Sequence, residues 1–417
     1  MSRVVVVGSG AREHALAHAL ARRAEVVVTP GNAGIAAEGI SCVVTPAIDL
    51  KADLFVIGPE QPLVEGLADQ LRTQGKAVVG PGAAGARLEG SKGYLKEFLV
   101  AARVPTAAHG VFRDQWSAEA FLATMRAPYV VKTDGLAGGK GVLVTNDFAA
   151  ACRDVAEKLS GAAFGDAGRA VVIEEGLAGV ECSFHVLVDG ANYVTLATSR
   201  DFKRVGDNDD GANTGGMGAY APMLESSSNE VCEVERTIIE PTLAELTRRG
   251  IDYRGVLYAG LMMTEAGPKL LEYNVRFGDP ETEVLVPLYG DELFDLLLST
   301  AEGRLEGTSP RDRGAAVTVV LAAEGYPQSP RKGDVISGLG PDGQLANPTE
   351  GVTVFHAGTL RNDAGEFITR SGRVVAVTGV GETIEAARRL AYEGAGQIAF
   401  KGSVRRSDIA RDARGAA

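Results

Sequence analysis

Three polar side chains of different chemistry alternate with apolar ones in the segment EYNVRF, residues 272–277. Successive side chains of a β-strand point to opposite faces, so Glu272, Asn274 and Arg276 are predicted to share one face. A carboxylate and an amide oxygen are ligands for a hard cation such as Mg²⁺, and a guanidinium binds a carboxylate or a phosphate. The segment therefore predicts a site for a metal-bound phosphate. An exposed strand with solvated charges is the alternative.

A second candidate site is a loop rich in glycine. The segment VVKTDGLAGGKGV, residues 130–142, places Lys132 on a predicted strand and Lys140 in the loop that follows. The loop contains Gly135, Gly138, Gly139 and Gly141. Backbone amides without side chains can close over phosphate groups. A glycine hairpin with solvated lysines is the competing interpretation, and the spacing does not match a P-loop.

The first hundred residues supply the elements for a third group. Apolar strands such as RVVVVG and DLFVIG alternate with helical stretches, which predicts a parallel sheet. Ligands bind at the carboxyl ends of such strands, so residues 8–13, 30–34 and 58–60 are expected on one rim. The start VVVVGSGARE is similar to a dinucleotide fingerprint, but Glu13 stands at its third glycine. A nicotinamide cofactor is therefore not predicted.

Composition narrows the class of protein. The chain has 417 residues, a hydrophobic fraction of 45% and a formal charge of −12, and its apolar runs are too short to span a membrane. We predict a multidomain cytoplasmic protein that does not bind membranes. An acidic chain lacks the basic surface that nucleic acid requires, so small molecules are the expected partners. The cysteines have no CxxC spacing, which indicates reduced thiols.

The order of predicted elements divides the chain into three regions. Residues 1–100 are predicted to form an α/β domain, residues 101–309 a larger domain of strands and helices, and residues 310–417 a small α+β domain. The fold class is therefore α/β and α+β, with several domains. The tail RRSDIARDARGAA is polar and is expected to be disordered.

Several motifs together carry a family resemblance. They are GSGAREH, PGNAG, GPEQPLVEG, LEGSK, KTDGLAGGKGV, NTGGMGAY and EYNVRFGDPETE. In this order they resemble the glycinamide ribonucleotide synthetase family, also called phosphoribosylamine-glycine ligases, of the ATP-grasp superfamily. The resemblance covers nearly the whole chain. It implies a ligase that joins glycine to 5-phosphoribosylamine with ATP and Mg²⁺ or Mn²⁺, in purine biosynthesis.

The same resemblance implies the identity of each region. Residues 1–100 would be an N-terminal pre-ATP-grasp domain with a parallel sheet. Residues 101–309 would be an ATP-grasp domain of two subdomains, with a small lid at about 116–184. Residues 310–417 would be the C-terminal α+β domain. The chain is expected to be a monomer or a weak homo-oligomer.

The resemblance also implies residues for each ligand. Those for ATP are Lys92, Lys132, Lys140, Glu174, Glu175, Leu177 and Glu181. The backbone of Glu175 and Leu177 is expected to hold adenine, and Glu181 the ribose. The metal ligands are Glu272 and Asn274. Residues 135–141 are expected to become ordered over bound ATP.

For the two other substrates the resemblance implies two further groups of residues. Those on the glycine side are Asp201, Asn213, Thr214, Gly215, Gly216, Arg276, Gly278 and Asp279. Those on the phosphoribosylamine side are Gly10, Arg12, Glu13, Asn32, Pro59 and Glu60. The catalytic groups are Arg276, Lys140 and Asp279.

The chain departs from the family pattern at three places. Residues 47–51, AIDLK, stand where the family has a full helix, so a helix should be shortened or missing and the sheet edge exposed. Glu283 stands where glutamine is common. Residues 258–262, YAGLM, lie where relatives often have a second metal carboxylate, so phosphates and water are expected to complete the metal coordination.

The mechanism implied by the resemblance needs no protein nucleophile. Transfer of the γ-phosphoryl group converts glycine to an acyl phosphate, which the amine of phosphoribosylamine attacks. Catalysis is then positioning and charge neutralisation. Two other classes stay open: an ATP-grasp ligase for bicarbonate or formate, and a nucleotide-binding regulatory module without chemistry.

Overall fold

The computed structural model describes residues 2–137, 141–161, 165–308, 310 and 314–413. Within those ranges, no helix combines the length and the apolar character needed to cross a membrane. The described strands form two five-stranded sheets, two four-stranded sheets and two hairpins.

The N-terminal region is built around a parallel sheet, as predicted. Its strands are β1 (Arg3–Gly8), β2 (Glu25–Pro30), β3 (Ser41–Cys42), β4 (Leu54–Ile57) and β5 (Ala77–Val79), in the order β3-β2-β1-β4-β5. Its helices are α1 (Ala11–Leu20), α2 (Ala33–Ala37), α3 (Glu60–Val64), α4 (Leu67–Thr73), α5 (Ala83–Gly90) and α6 (Lys92–Ala102). Val4 and Val6 pack in one core and Val5 and Val7 in another, so both faces of the sheet are covered.

The expected loss of a helix between β3 and β4 is confirmed. A single 3₁₀ turn, Ala47–Asp49, replaces it. The edge beside it is open, since Ser41 is exposed and Val44 is 92% exposed. A surface cavity of about 340 Å³ lies there, lined in part by Val7, Thr29 and the 3₁₀ turn.

The middle region contains the two predicted subdomains. The smaller has the sheet β6-β9-β7-β8, and its elements are β6 (His109–Phe112), α7 (Gln115–Leu122), β7 (Tyr129–Thr133), β8 (Val142–Thr145), α8 (Phe148–Leu159) and β9 (Val171–Glu175). Strands β7 and β8 are antiparallel, so the predicted hairpin around the glycine loop is confirmed. Residues 138–140 of that loop, with Lys140, lie outside the described residues.

The larger subdomain has the antiparallel sheet β11-β10-β16-β17. Its strands are β10 (Val180–Asp189), β11 (Tyr193–Thr195), β16 (Arg254–Thr264) and β17 (Gly267–Asn274), and β13 (Arg204–Gly206) and β14 (Asp210–Asn213) form a hairpin. Its helices are α9 (Asn229–Val234), α10 (Glu240–Arg248), α11 (Thr282–Tyr289) and α12 (Glu292–Glu302), with a π-helical turn, Glu235–Ile239, between α9 and α10. This sheet carries the candidate site on one face.

The C-terminal sheet combines strands from both sides of residue 309. Its order is β12-β15-β18-β22-β19, and the strands are β12 (Arg200–Asp201), β15 (Gly218–Ala221), β18 (Ala315–Ala322), β19 (Val352–His356) and β22 (Arg373–Gly381). A second hairpin, β20 (Thr359–Arg361) and β21 (Phe367–Thr369), precedes β22. Helix α13 (Ile384–Gln397) packs on the sheet through Ala387, Ala391 and Ala395. The predicted order of strands before one helix is confirmed.

The prediction of a disordered tail was wrong for residues 405–413. Arg406 is 1% exposed, and its guanidinium lies 2.7 Å from carboxylate oxygens of Asp209 and Asp408. Ile409 is fully buried in the C-terminal core. Charge pairing and one apolar anchor therefore order a segment whose composition is polar. Residues 414–417 lie outside the described chain.

Candidate active site

The polar face predicted around residue 272 is present at the end of β17. Glu272 and Asn274 are half-buried, whereas Tyr273 and Val275 are 1% and 0% exposed and lie in the core. Tyr273 also forms a hydrogen bond with Thr242 at 2.7 Å between their hydroxyl oxygens. The predicted alternation is confirmed, and core contacts on one face hold the polar side chains on the other.

Glu272 lies among positive charges. Burial opposes ionisation of its carboxyl group, but three lysines, Lys203 most strongly, and Arg276 outweigh burial and hold the pKa of Glu272 below its usual range. An ionised carboxylate beside the amide of Asn274 suits a hard cation. In the described ranges no three His, Cys, Asp or Glu side chains cluster closely enough to hold a metal. The pair therefore fits Mg²⁺ only together with oxygen ligands from phosphate or water.

A buried trio of charges lies near Glu272. The Nζ atoms of Lys96 and Lys132 are each 3.0 Å from a carboxylate oxygen of Glu174. Lys132 also donates to Leu271 O at 3.3 Å. Lys92 begins α6 and contributes charge toward Glu272. Glu174 is thus the partner that orients Lys132, a role that the sequence did not suggest, and Lys96 was not singled out at all.

The residues expected for adenine and ribose follow β9. The carboxylate of Glu175 accepts hydrogen bonds from Ala108 N at 3.0 Å and from Lys269 Nζ at 3.2 Å. Leu177 is half-buried in the connection to β10. Glu181, on β10, accepts from Lys203 Nζ at 2.7 Å. The connection between β9 and β10 therefore runs from the ion-paired residues around Glu174 to the charged residues around Glu272.

Asp201 ends β12 close to the same lysine. Its carboxylate is 3.9 Å from Lys203 Nζ, and its side chain is 8% exposed. Burial raises the pKa of Asp201 to about 7, against the opposing charge of Lys203. Lys203 therefore lies between Glu181, Asp201 and Glu272, although the sequence offered no motif that marks it.

Residues 213–216 form the turn between β14 and β15. Asn213 ends β14, and Thr214 closes the turn because its N–H and its hydroxyl donate to Lys203 O at 2.7 and 2.9 Å. Gly216 has a φ of +106°, and a side chain there would collide with Pro280. The turn thus lies against residues 278–280, and both belong to the predicted glycine side.

Arg373, on β22, joins this turn to Asp279. Its Nη1 and Nη2 donate to the two carboxylate oxygens of Asp279 at 2.7 and 2.9 Å. Nη1 also donates to Gly215 O at 2.6 Å. The C-terminal region therefore contributes a side chain to the site, which no local pattern could have indicated.

Arg276 reaches the N-terminal region. Its Nη2 donates to Glu89 Oε1 at 2.7 Å, and its Nε is 3.4 Å from Glu60 Oε2. The other oxygen of Glu89 accepts from Val275 N at 2.8 Å. Burial raises the pKa of Glu89, with Arg276 opposing that rise. The guanidinium is thus held by two carboxylates of the neighbouring region.

The segment after Arg276 is held by buried hydrogen bonds to Glu281. Glu281 is 2% exposed, and its Oε1 accepts from Tyr258 OH at 2.6 Å and from Ser183 Oγ at 3.0 Å. Gly278 leaves the room for this carboxylate, because a side chain at Gly278 would collide with it. These buried hydrogen bonds fix the backbone that carries Asp279.

The rim of the parallel sheet holds the residues predicted for phosphoribosylamine. Glu13 folds back so that Gly10 N donates to its Oε2 at 2.6 Å, and Arg12 Nε donates to its Oε1 at 2.6 Å. Its carboxylate fills the space beside Gly8 and Gly58, where a side chain would collide with it. Glu13 therefore occupies the position that a third glycine leaves open in a dinucleotide site.

Two other rim residues have structural partners. The Asn32 amide caps α2 by accepting from Gly34 N at 2.9 Å, and it donates to Ser9 O at 3.0 Å and to His356 O at 2.7 Å. Pro59 is the N-cap of α3 and Glu60 its first residue. Asn32 therefore ties the rim to the C-terminal region, and Glu60 reaches Arg276.

The departure at Glu283 has a physical reading in the structure. The residue is fully buried in the first turn of α11. Burial raises its pKa well above the usual range, and the charge of Asp279 adds to this effect. A carboxyl group that keeps its proton presents a hydroxyl donor beside a carbonyl acceptor, much as the amide of glutamine presents an NH₂ donor beside a carbonyl acceptor. At residues 258–262, where relatives often have a second metal carboxylate, Gly260 on β16 pairs with Glu272 on β17.

Comparison with known proteins places these features in one family. Family models described as the N, ATP-grasp (A) and C domains of phosphoribosylglycinamide synthetase match residues 2–89, 90–282 and 316–412. The chain is 45% identical to a phosphoribosylamine–glycine ligase of Mesorhizobium japonicum over 97% of each chain, and 44% identical to that of Vibrio parahaemolyticus over 98% of this chain and 97% of the other.

Solved structures agree with this placement. The crystal structure of phosphoribosylamine–glycine ligase from Thermotoga maritima superposes with a TM-score of 0.85 at 39% identity, covering 98% of this chain and 100% of that chain. A biotin carboxylase domain from Hydrogenobacter thermophilus, in complex with MgADP and bicarbonate, has a TM-score of 0.72 at 18% identity, over 97% of this chain and 91% of that one. At this identity the similarity is one of fold only. The chain belongs to the phosphoribosylglycinamide synthetase family, with the N-terminal, ATP-grasp and C-terminal domains in that order.

Proposed function

We propose that the chain joins glycine to 5-phosphoribosylamine at the expense of ATP and releases glycinamide ribonucleotide, ADP and phosphate, a step of purine biosynthesis. The family membership along the whole chain is the observation that carries this activity. The geometry supports it, because the cluster around Glu272 combines a cation site, lysines and a guanidinium. We further propose that it acts in the cytoplasm as a monomer or weak homo-oligomer.

ATP would lie across the face of the β10-β16-β17 sheet. Glu175 and Leu177 would hold the adenine through their backbone, and Glu181 the ribose. Lys92 and Lys132 would contact the phosphates, with Glu174 orienting Lys132. Mg²⁺ or Mn²⁺ bound by Glu272 and Asn274 would neutralise phosphate charge and orient the γ-phosphate.

Glycine would lie between the 213–216 turn and the segment 276–279. Arg276 is held in place by Glu89 and Glu60, so its planar guanidinium is already oriented for a carboxylate. Asp279, paired with Arg373, and the amides at Gly215 and Gly216 would bound the pocket on the other side.

The chemistry has two balanced steps. A glycine carboxylate oxygen attacks the γ-phosphorus, ADP leaves with the electrons of the broken P–O bond, and glycyl phosphate forms. The amine of phosphoribosylamine then attacks the acyl carbon, the C–O bond to phosphate breaks, and the amine loses a proton. Arg12, Glu13 and Glu60 lie at the rim where that amine would enter. Positioning and neutralised charge supply the rate enhancement.

One assay tests the proposal against its alternatives. ADP release is measured with freshly formed phosphoribosylamine and, in turn, glycine, bicarbonate or formate. Dependence on glycine, with glycinamide ribonucleotide as the product, is the expected result. Release with bicarbonate or formate instead would assign another ligase, and ATP binding without release would assign a regulatory module.

A further inference from the structure

Lys203 is the cation of this cluster that has no place in the roles described above. It lies between β12 and β13, and its carbonyl oxygen accepts two hydrogen bonds from Thr214. The backbone at Lys203 is thereby fixed to the turn at 213–216. Its side chain is 39% exposed, so Lys203 is not part of the packed core.

The ammonium group lies among three carboxylates. Its Nζ is 2.7 Å from Glu181 Oε2 and 3.9 Å from Asp201 Oδ1, and it is the positive charge that acts most strongly on Glu272. The ammonium group offsets the repulsion between the negative charges around it.

The path of ATP passes the same point. Under the proposed function, the ribose contacts Glu181 and the metal-bound phosphates lie at Glu272. The triphosphate begins at the ribose, so it would run from Glu181 to Glu272. A lysine that contacts Glu181 and acts on Glu272 would therefore lie beside the triphosphate.

We propose that Lys203 is a further catalytic residue, which neutralises Glu181, Asp201 and Glu272 in the ligand-free chain and contacts the ATP triphosphate when the nucleotide binds. The exchange is favourable because a phosphate oxygen replaces a carboxylate as the partner of the same ammonium group. The inference rests on the proposed function, and its tests include two that do not require turnover.

The first test uses Mn²⁺ alone, with no nucleotide. In Lys203→Met the pair Glu272 and Asn274 loses the positive charge that acts most strongly on Glu272, so Mn²⁺ held there with water ligands should bind about tenfold or more tightly than in wild type, measured by electron paramagnetic resonance. Arg204→Met is the matched control, because Arg204 is the next residue and donates to Gly211 O at 2.7 Å instead. Equal Mn²⁺ affinity in Lys203→Met and wild type overturns the placeholder role.

The second test measures ATP binding by calorimetry, and kcat. Loss of a charge-assisted contact should weaken binding of ATP with Mg²⁺ about tenfold and lower kcat about a hundredfold in Lys203→Met, with Arg204→Met near wild type. Unchanged ATP affinity and kcat in Lys203→Met overturn the catalytic role. If Lys203→Met does not fold, Lys203→Gln, which also lacks the charge, takes its place, and unchanged ATP affinity and kcat in that variant overturn the role.

The two proposals fail differently. A wild-type chain that releases no ADP with glycine contradicts the proposed function, yet Mn²⁺ binding and ATP binding still report on Lys203. A wild-type chain with full ligase activity and an equally active Lys203→Met variant contradicts only the role of Lys203.

Discussion

Glu272 has more cations around it than a structural carboxylate requires. Three lysines and Arg276 act on it, while Tyr273, the next residue on β17, faces the core. Such an excess of positive charge favours the binding of anionic oxygens, such as those of a phosphate that carries its own metal.

Glu272→Gln should therefore impair turnover far more than folding. The amide keeps the shape but is a weaker metal ligand, so kcat should fall about 100-fold at ordinary Mg²⁺, with partial recovery at high Mg²⁺. Thermal melting and Mg²⁺-dependent ADP release are compared. Glu265→Gln, an exposed residue in the turn that joins β16 to β17, is the control. Unchanged kcat would remove Glu272 from the metal site.

Arg276→Lys should raise the glycine requirement while ATP affinity stays close to wild type. A lysine ammonium cannot hold Glu89 and Glu60 and still present a planar fork to a carboxylate. We expect the KM for glycine to rise about tenfold. ADP formation is measured as glycine is varied, and ATP binding by calorimetry. A loss of ATP affinity with unchanged glycine dependence would move Arg276 to the nucleotide site.

Asp201 should make stability fall as pH rises through the neutral range. Its folded pKa of about 7 lies above its ordinary value, so between those values the folded chain holds a proton that the unfolded chain has lost. Asp201→Asn removes this proton linkage. The free energy of unfolding of Asp201→Asn, relative to that of wild type, should therefore be higher at pH 8 than at pH 5, by at least ~1 kcal/mol.

Urea unfolding of both proteins at the two pH values measures this difference. Asp49→Asn, an exposed aspartate in the 3₁₀ turn, should show none. If Asp201→Asn and wild type keep the same difference in stability at pH 5 and pH 8, Asp201 does not titrate in this range.

Among the elements, the start of α1 depends on one carboxylate between two strand ends. Glu13 bonds to Gly10 N and lies where side chains at Gly8 and Gly58 would be. The turn is thus a close contact among three segments: Gly58 is required because Glu13 is there, and Gly8 is required also by its φ of +131°.

Gly58→Ala should destabilise the chain by about 1–3 kcal/mol, because the methyl group collides with Glu13. Glu13→Ala removes the obstacle, so the double variant should be more stable than the sum of the two single effects predicts. Urea unfolding of all four proteins in the cycle measures the coupling. Additive effects would show that the backbone, and not Glu13, makes Gly58 necessary.

Local periodicity explains which elements could be predicted from sequence. The burial pattern at residues 272–277 alternates every second residue and β1 is a continuous apolar run, and both patterns were predicted correctly, although β17 ends at Asn274. The partners of these residues could not be predicted, because Glu89, Lys203 and Arg373 are distant in sequence from Arg276, Glu272 and Asp279. The prediction of a disordered tail failed for the same reason, since Asp209, which pairs with Arg406, is far from Arg406 in sequence.

At the scale of the whole molecule, the ATP-grasp and C-terminal regions share a sheet. Strand β15 pairs with β18 along four residues, and β12 pairs with β15. Arg373 adds a bidentate ion pair to Asp279 across the same boundary. The C-terminal region is therefore part of the structure that holds residues 200–221.

A chain that ends at residue 308 should not fold as a stable unit. It would expose the edge of β15 and the buried side chains Met217 and Tyr220. We expect loss of a cooperative urea transition and increased binding of a hydrophobic dye. The full chain, measured in parallel, is the control. A cooperative transition in the shorter chain would show that the shared sheet is dispensable.

The shared sheet also bears on the order of events during synthesis. On the ribosome, at about 5–20 residues per second, β15 is made several seconds before β18 and β22 can pair beside it. During that delay the nascent chain has an open strand edge, and Asp279 has not yet formed its ion pair with Arg373. Arg373 is made about a hundred residues after Asp279, so a translation product interrupted before Arg373 lacks one wall of the proposed glycine pocket.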